Sequence, residues 1–199
     1  GVERTLLAAN HLMELVNDIL DLSKVEAGKM ELNMEPVVFP GLIHELLATV
    51  EPLAEQHGVE LQLESCEVTV QSDPRRLRQV ILNLLSNAIK FGDGKPVRVS
   101  CHPESDVFFV IEVRDHGPGI ADSDQERIFE EFVQLESQQR PGAGLGLPIS
   151  RRLAELLGGT LSVESVVGEG STFRLRIPVS VRPANGEVPS EALAASNNA

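Results

Sequence analysis

Apolar residues near the start of the chain recur in steps of three and four. Val2, Leu6, Ala9, Met13, Val16 and Leu20 form one stripe, and Leu12, Leu15, Ile19 and Leu22 an adjacent one. This spacing predicts a single helix over residues 2–27, with Gly28 as its stop. A helix packed on its own domain needs one seam. Two predict a bundle helix whose other members lie outside this chain. After a turn around Pro36 and Pro40, Leu42, Leu46, Leu47, Val50 and Leu53 predict a second helix over 41–57, kinked at Pro52. Strict alternation marks strands at 59–63 and, more briefly, at 68–70. Asp73 and Pro74 then stand where an N-cap and first helical residue belong. Leu77, Val80, Ile81, Leu84, Leu85 and Ala88 follow as a core stripe.

Residues 97–101 and 107–113 read as paired strands with Ser105 and Asp106 at the turn. Ser123 and Glu126 have capping-box spacing, which predicts a short helix through Phe132. A polar loop covers 133–142, a helix 147–157, and a hairpin the segments 160–166 and 171–177 around "GEG". From Val179 the letters turn to Ala, Asn, Ser, Pro and Glu, a disordered tail or linker over 179–199. The sum is α+β, with about five strands in one sheet and three helices to cover one face.

Composition narrows the function. In 199 residues, 42% hydrophobic and 24% charged, the chain is globular. No apolar run reaches the ~18–20 residues of a membrane span, so a cytoplasmic setting is expected; a membrane-anchored parent stays open. A net charge of −13 argues against nucleic acid as a partner. Cys66 and Cys101 lack metal-ligand spacing and are expected as two reduced, partly buried thiols.

Three stretches carry candidate chemistry. Asn83, Asn87 and Lys90 share one helix face, where carboxamides are poor helix formers; a solvated face is the bland explanation and a Mg²⁺-phosphate site the chemical one. "RDHGPGI" (114–120) ends a strand in Asp115 and then Gly117-x-Gly119, which either reads an exocyclic amine beside a flat ring or simply turns. "PGAGLGL" (141–147) runs Gly142, Gly144 and Gly146 into a helix N-terminus, either a hinge or an anion cradle. It lacks the Lys-Ser/Thr of a P-loop and follows a polar loop, unlike a dinucleotide fingerprint.

In this order, with "IFEEF" (128–132) between the last two, these stretches resemble the ATP-binding catalytic domain of sensor histidine kinases, in the wider superfamily with gyrase, Hsp90 and MutL. The resemblance covers residues 1–178. It implies a two-layer α/β sandwich over 30–178, preceded at 1–29 by the second helix of a dimerisation and phosphoacceptor hairpin. It implies ATP and Mg²⁺ as cofactors, with Asn87 as the metal ligand and Asn83 and Lys90 beside the phosphates. Asp115 would hold the adenine amine in a pocket shaped by Gly117 and Gly119, and Arg127 would reach the γ-phosphate. Gly142, Gly144 and Gly146 would form the lid hinge. Phe91, Ile120, Ala143, Leu145 and Leu147 complete the implied nucleotide contacts. Ala143 and Gly92 depart from the family pattern, which favours hydroxyl residues there.

The implied activity is γ-phosphoryl transfer to a histidine, with onward transfer to the Asp of a response-regulator receiver domain. His44 opens "HELL", but the Arg, Thr/Asn and Pro of an acceptor box are replaced by Leu47, Ala48 and Thr49. It also lies after the bundle helix, where the acceptor should precede it. The expected acceptor is therefore a helix of the same or a partner subunit that this chain does not contain. Dimerisation is expected of the full-length parent rather than of this chain. The alternatives are a nucleotide-gated ATPase or conformational module, and a degenerate phosphotransfer scaffold. Against hydrolysis, the position one turn before Asn87, where such relatives carry Glu, holds Asn83, whose amide takes no proton at neutral pH.

Overall fold

A computed structural model describes residues 13, 16, 17, 19–21, 23–25, 27–64, 67–135 and 144–179. The described residues between 13 and 25 are helical (α1). Then follow β1 (Glu35–Val38), α2 (Phe39–His57), β2 (Leu61–Leu63), β3 (Thr69–Ser72), α3 (Pro74–Phe91), β4 (Val97–Pro103) and β5 (Phe108–Arg114). A short α4 (Asp122–Gln125), α5 (Gly146–Leu156), β6 (Thr160–Val166) and β7 (Gly170–Pro178) complete the order.

Five strands form the main sheet in the order β2-β4-β5-β7-β6. β2 runs parallel to β4 and the remaining neighbours are antiparallel. Alternation divides its faces. Val97, Val99, Ile111, Val113, Phe173, Leu175 and Ile177 lie inward and buried, while on the other face or at its edge Arg174 pairs across strands with Glu112 and Glu164, and Arg176 pairs with Glu104. The apolar stripes of α2, α3 and α5 cover the inner face in one continuous core. The whole predicted stripe of α3 is buried there. At one end of this core Phe39 meets Phe109 edge-on, ring centroids 4.9 Å apart. This is the two-layer α/β arrangement that the sequence implies.

Several expectations shift. The segment around Pro36 is a strand rather than a turn, and β1 pairs with β3 in a separate two-stranded sheet. Pro is tolerated there because the ladder has an open side. Ser123 does not cap a helix to Phe132. α4 has four residues with Ala121 at its N-cap, then a 3₁₀ turn, Arg127–Phe129. Phe132 lies at φ 62°, which no helix accommodates. Cys101, 8% exposed, is disulfide-bonded rather than a free thiol. Parallel pairing continues one bond past β2, from Glu64 N to Val99 O. Cys66 lies outside the described residues.

The bundle helix is described only in part. Met13, Val16, Ile19 and Leu20 are 47–64% exposed, whereas Val25 packs against the core. Asp21 reaches α3, accepting from Gln79 Nε2 at 2.9 Å beside Arg76. The remaining seam residues and the tail from 180 lie outside the described residues.

Candidate functional site

The site is assembled around α3, whose start is fixed by its cap. Asp73 Oδ1 accepts from the backbone N–H of Arg75 and Arg76 at 2.9 and 3.0 Å, and Oδ2 from Asn33 N at 2.9 Å. With Pro74 behind it, this is the N-terminus read from the sequence. The buried stripe holds the helix by one side and leaves Asn83, Asn87 and Lys90 half-buried on another. Asn87 and Lys90 make no side-chain hydrogen bond or ion pair with any described residue. No buried polar side-chain atom lacks a partner among the described residues, so both groups reach solvent. Asn83 differs: its Nδ2 donates to Ser150 Oγ on α5 at 2.9 Å, and Ser150 is 2% exposed.

Two further segments close on this same stretch of helix. A Cβ on Gly146 would sit 2.5 Å from Asn83 Oδ1, and one on Gly117 would sit 2.0 Å from the carbonyl oxygen of Phe91. Only glycine permits either approach. The start of α5 thus abuts α3 at residue 83 and the 115–119 turn abuts it at residue 91, with Asn87 one turn from each.

Asp115, at the end of β5, is 5% exposed. Its Oδ1 accepts from Gly117 N at 2.8 Å and Ser171 N at 3.3 Å, and its own N–H donates to Ser171 O at 2.9 Å. Its Oδ2 has no partner among the described residues and is left for an incoming donor. Burial pushes this carboxyl above the ordinary range; the N–H groups of Gly117 and Ser171, and His116, pull the other way. Past the turn, Gly119 sits at φ 71° with its α-carbon against Val166 O, and Ile120 is buried.

At the third corner, α5 begins without a side-chain cap, following Leu145 as N-cap. The N–H groups of Gly146 and Leu147 are given to no described residue, and Pro148 has none to give. Gly144, at φ 68°, accepts from Phe132 N at 3.1 Å. Leu145 is 1% exposed in the core, so it can meet a ligand only by its backbone. Gly142 and Ala143 lie outside the described residues. Arg127 is not drawn to this cluster. Its Nη1 pairs with Asp124 Oδ1 at 2.6 Å on the exposed side of the 3₁₀ turn.

Ser150, Ser165 and Ser171, which hold these segments together, were not singled out from the sequence. The signal is present in the strands: Leu161-Val163-Ser165 and Ser171-Phe173-Leu175 put a hydroxyl on the inward, apolar phase.

The Asn87 amide is a hard oxygen donor of the kind that suits Mg²⁺ shared with phosphates. No cluster of three His, Cys, Asp or Glu side chains occurs among the described residues to compete for a metal.

Residues 72–181 match the family described as histidine kinase-, DNA gyrase B- and HSP90-like ATPase. The circadian input-output histidine kinase CikA of Synechococcus elongatus is 38% identical over 92% of this chain and 26% of its own length. The virulence sensor protein BvgS of Bordetella bronchiseptica is 39% identical over 95% of this chain and 16% of its own. This chain therefore spans about a quarter or less of those relatives. Among solved structures, full-length ShkA in complex with AMPPNP superposes with TM-score 0.80 at 34% identity, covering 92% of this chain and 40% of ShkA. The histidine kinase AdeS of Acinetobacter baumannii gives 0.78 at 27%, covering 89% and 83%.

Proposed function

The chain belongs to the histidine kinase-, DNA gyrase B- and HSP90-like ATPase family; on that premise we propose that it is the ATP-binding catalytic domain of a sensor histidine kinase. Its reaction is transfer of the γ-phosphoryl group of ATP to an imidazole nitrogen. The nitrogen lone pair attacks phosphorus, the bond to the β,γ-bridging oxygen breaks, and ADP leaves. A neutral imidazole needs no strong base, so positioning and charge stabilisation carry the step.

Asp115 is the observation that supports this reading most. One oxygen is consumed in shaping the turn, and the other faces solvent from a site otherwise 5% exposed, an acceptor suited to the adenine amine. Gly117 and Gly119 let this turn pack against the carbonyl oxygens of Phe91 and Val166, where a Cβ would sit 2.0 and 2.1 Å away, and so hold its backbone beside the base. The N–H groups at the start of α5 that no described residue accepts, with Lys90, suit the phosphates, which a chain of net charge −13 can bind only through such local donors. Asn87 Oδ1 is the ligand for Mg²⁺. When bound, the cation neutralises charge on the phosphate oxygens. Arg127 can serve the γ-phosphate only after leaving Asp124.

Asn83 speaks against the hydrolytic alternative: its amide is committed to Ser150 and activates no water. The acceptor histidine belongs to the parent's phosphoacceptor hairpin, of which α1 is the second helix, and its exposed Met13, Val16, Ile19 and Leu20 suit that role. On this reading His44 is not that acceptor, because Leu47, Ala48 and Thr49 stand where an acceptor box has Arg, Thr/Asn and Pro. A receiver domain is the onward partner, and the cytoplasm the setting. No described helix is long and apolar enough to cross a membrane. Calorimetric titration with Mg·ATP tests the assignment: one-site binding with weaker GTP binding supports it, and no binding of ATP ends it.

A further inference from the structure

We propose that Ser165 is a positioning residue for the nucleotide base, acting through the hydroxyl that clamps both ends of the loop 115–120. The proposal rests on the ATP-site reading above and concerns a residue that touches no nucleotide in it.

Ser165 lies on β6, directly opposite Ser171 of β7 in the ladder. Its Oγ has three partners: Ile120 N at 2.8 Å, Gly170 O at 2.8 Å and Ser171 Oγ at 2.9 Å. A hydroxyl has one proton and two lone pairs. The proton goes to Gly170 O, which can only accept, and one lone pair takes the Ile120 N–H, which can only donate. The remaining contact therefore requires Ser171 as donor. Ser165 Oγ is then fully subscribed and its direction is fixed.

This bonding joins the two ends of the base loop. Ile120, at its far end, is bonded to Ser165. Ser165 is bonded to Ser171, and Ser171 N–H is bonded to Oδ1 of Asp115 at the near end. The middle is held from the same hairpin, since Gly168 N donates to Pro118 O at 2.7 Å. Gln125 ties the arrangement from outside, with Nε2 donating to Ser165 O at 2.9 Å and Ile120 O at 3.3 Å. The direction of Asp115 Oδ2, the atom that would read the base, is thus set by the Gly117 N–H within the loop and, from the β6–β7 hairpin, by Ser171 with Ser165 behind it. The phosphate side of the site, α3 and the start of α5, has no bond to Ser165.

That separation gives the test a readout that general destabilisation would not move. Val and Thr have the same shape and differ by the hydroxyl, so Ser165→Val and Ser165→Thr are compared with the wild-type chain. The probes are ATP, GTP and Mg·tripolyphosphate, the last measured by displacement of a fluorescent nucleotide. Ser165→Val should weaken ATP binding ~10-fold or more, the scale of lost buried hydrogen bonds. It should also narrow the ATP-to-GTP preference and leave tripolyphosphate affinity unchanged, while Ser165→Thr restores the wild-type pattern. Equal ATP affinity and base preference in Ser165→Val, or a parallel loss of tripolyphosphate, overturns the proposal. If Ser165→Val does not fold, Gln125→Ala carries the same expectation at smaller amplitude, and unchanged base preference there overturns it. A wild-type chain that binds no ATP instead refutes the nucleotide assignment itself.

Discussion

Replacing Asp115 by Asn should separate the stability of this fold from its binding function. In the native chain a carboxylate sits 5% exposed, and burial raises its pKa above the ordinary 3.8. A carboxyl raised on folding adds stability below pH 3.8 and loses it as pH rises through the folded value, because the native state binds the proton more tightly than the unfolded chain. Above the folded value the fold carries the full cost of the buried charge. Asn keeps the Oδ1 acceptor for Gly117 N and Ser171 N and removes that charge. Its amide nitrogen takes the Oδ2 position, which reaches solvent. Asp115→Asn should therefore be at least as stable as wild type at pH 7, with the difference shrinking as pH falls toward 3.8. Binding should go the other way. A charge-assisted hydrogen bond to the adenine amine is worth about 1.5–3 kcal/mol, and two donors set face to face cost about 1–3 kcal/mol more. The sum weakens ATP by ~10²- to 10⁴-fold. Urea unfolding across pH and calorimetric titration with Mg·ATP measure both effects. A destabilised variant that still binds ATP normally would refute the reasoning on both counts.

Other substitutions probe the supports. Asp73→Ala removes acceptors for three backbone N–H groups and should cost about 1–2 kcal/mol in urea unfolding; an unchanged midpoint would show the cap to be idle. Gly146→Ala drives a methyl to 2.5 Å from Asn83 Oδ1 and should cost about 1–3 kcal/mol while weakening ATP through the displaced start of α5. Normal stability and affinity in that variant would mean that α3 and α5 do not meet as described.

How far the sequence disclosed this arrangement depends on the range of the interactions. α3 was legible because Asp73, Pro74 and its core stripe act within one helix. The main sheet was legible because alternation in β4, β5 and β7 matches burial. β1 was hidden because its partner lies over thirty residues away in β3 and Pro36 locally argues for a turn. Ser123 and Glu126 have capping-box spacing, yet Ala121 takes the N-cap position and Gln125 is drawn to Ile120 and Ser165. Among the proposed site residues, Asn87, Asp115 and Gly117 were singled out by spacing. The packing of Asn83 against Ser150, and the engagement of Arg127 with Asp124, depend on side-chain geometry that spacing does not encode. The parallel pairing of β2 with β4 is likewise a contact between distant segments, which no local pattern carries.

The most direct test is calorimetric titration of the wild-type chain and Asn87→Ala with ATP, each with and without Mg²⁺. Because the Asn87 side chain bonds to no described residue, the variant should unfold at the wild-type temperature. Mg²⁺ should tighten ATP binding to the wild type, and that gain should vanish in Asn87→Ala while metal-free binding stays similar. The same Mg²⁺ dependence in both proteins would contradict the claim that this helix face, the Asp115 turn and the start of α5 hold one nucleotide together.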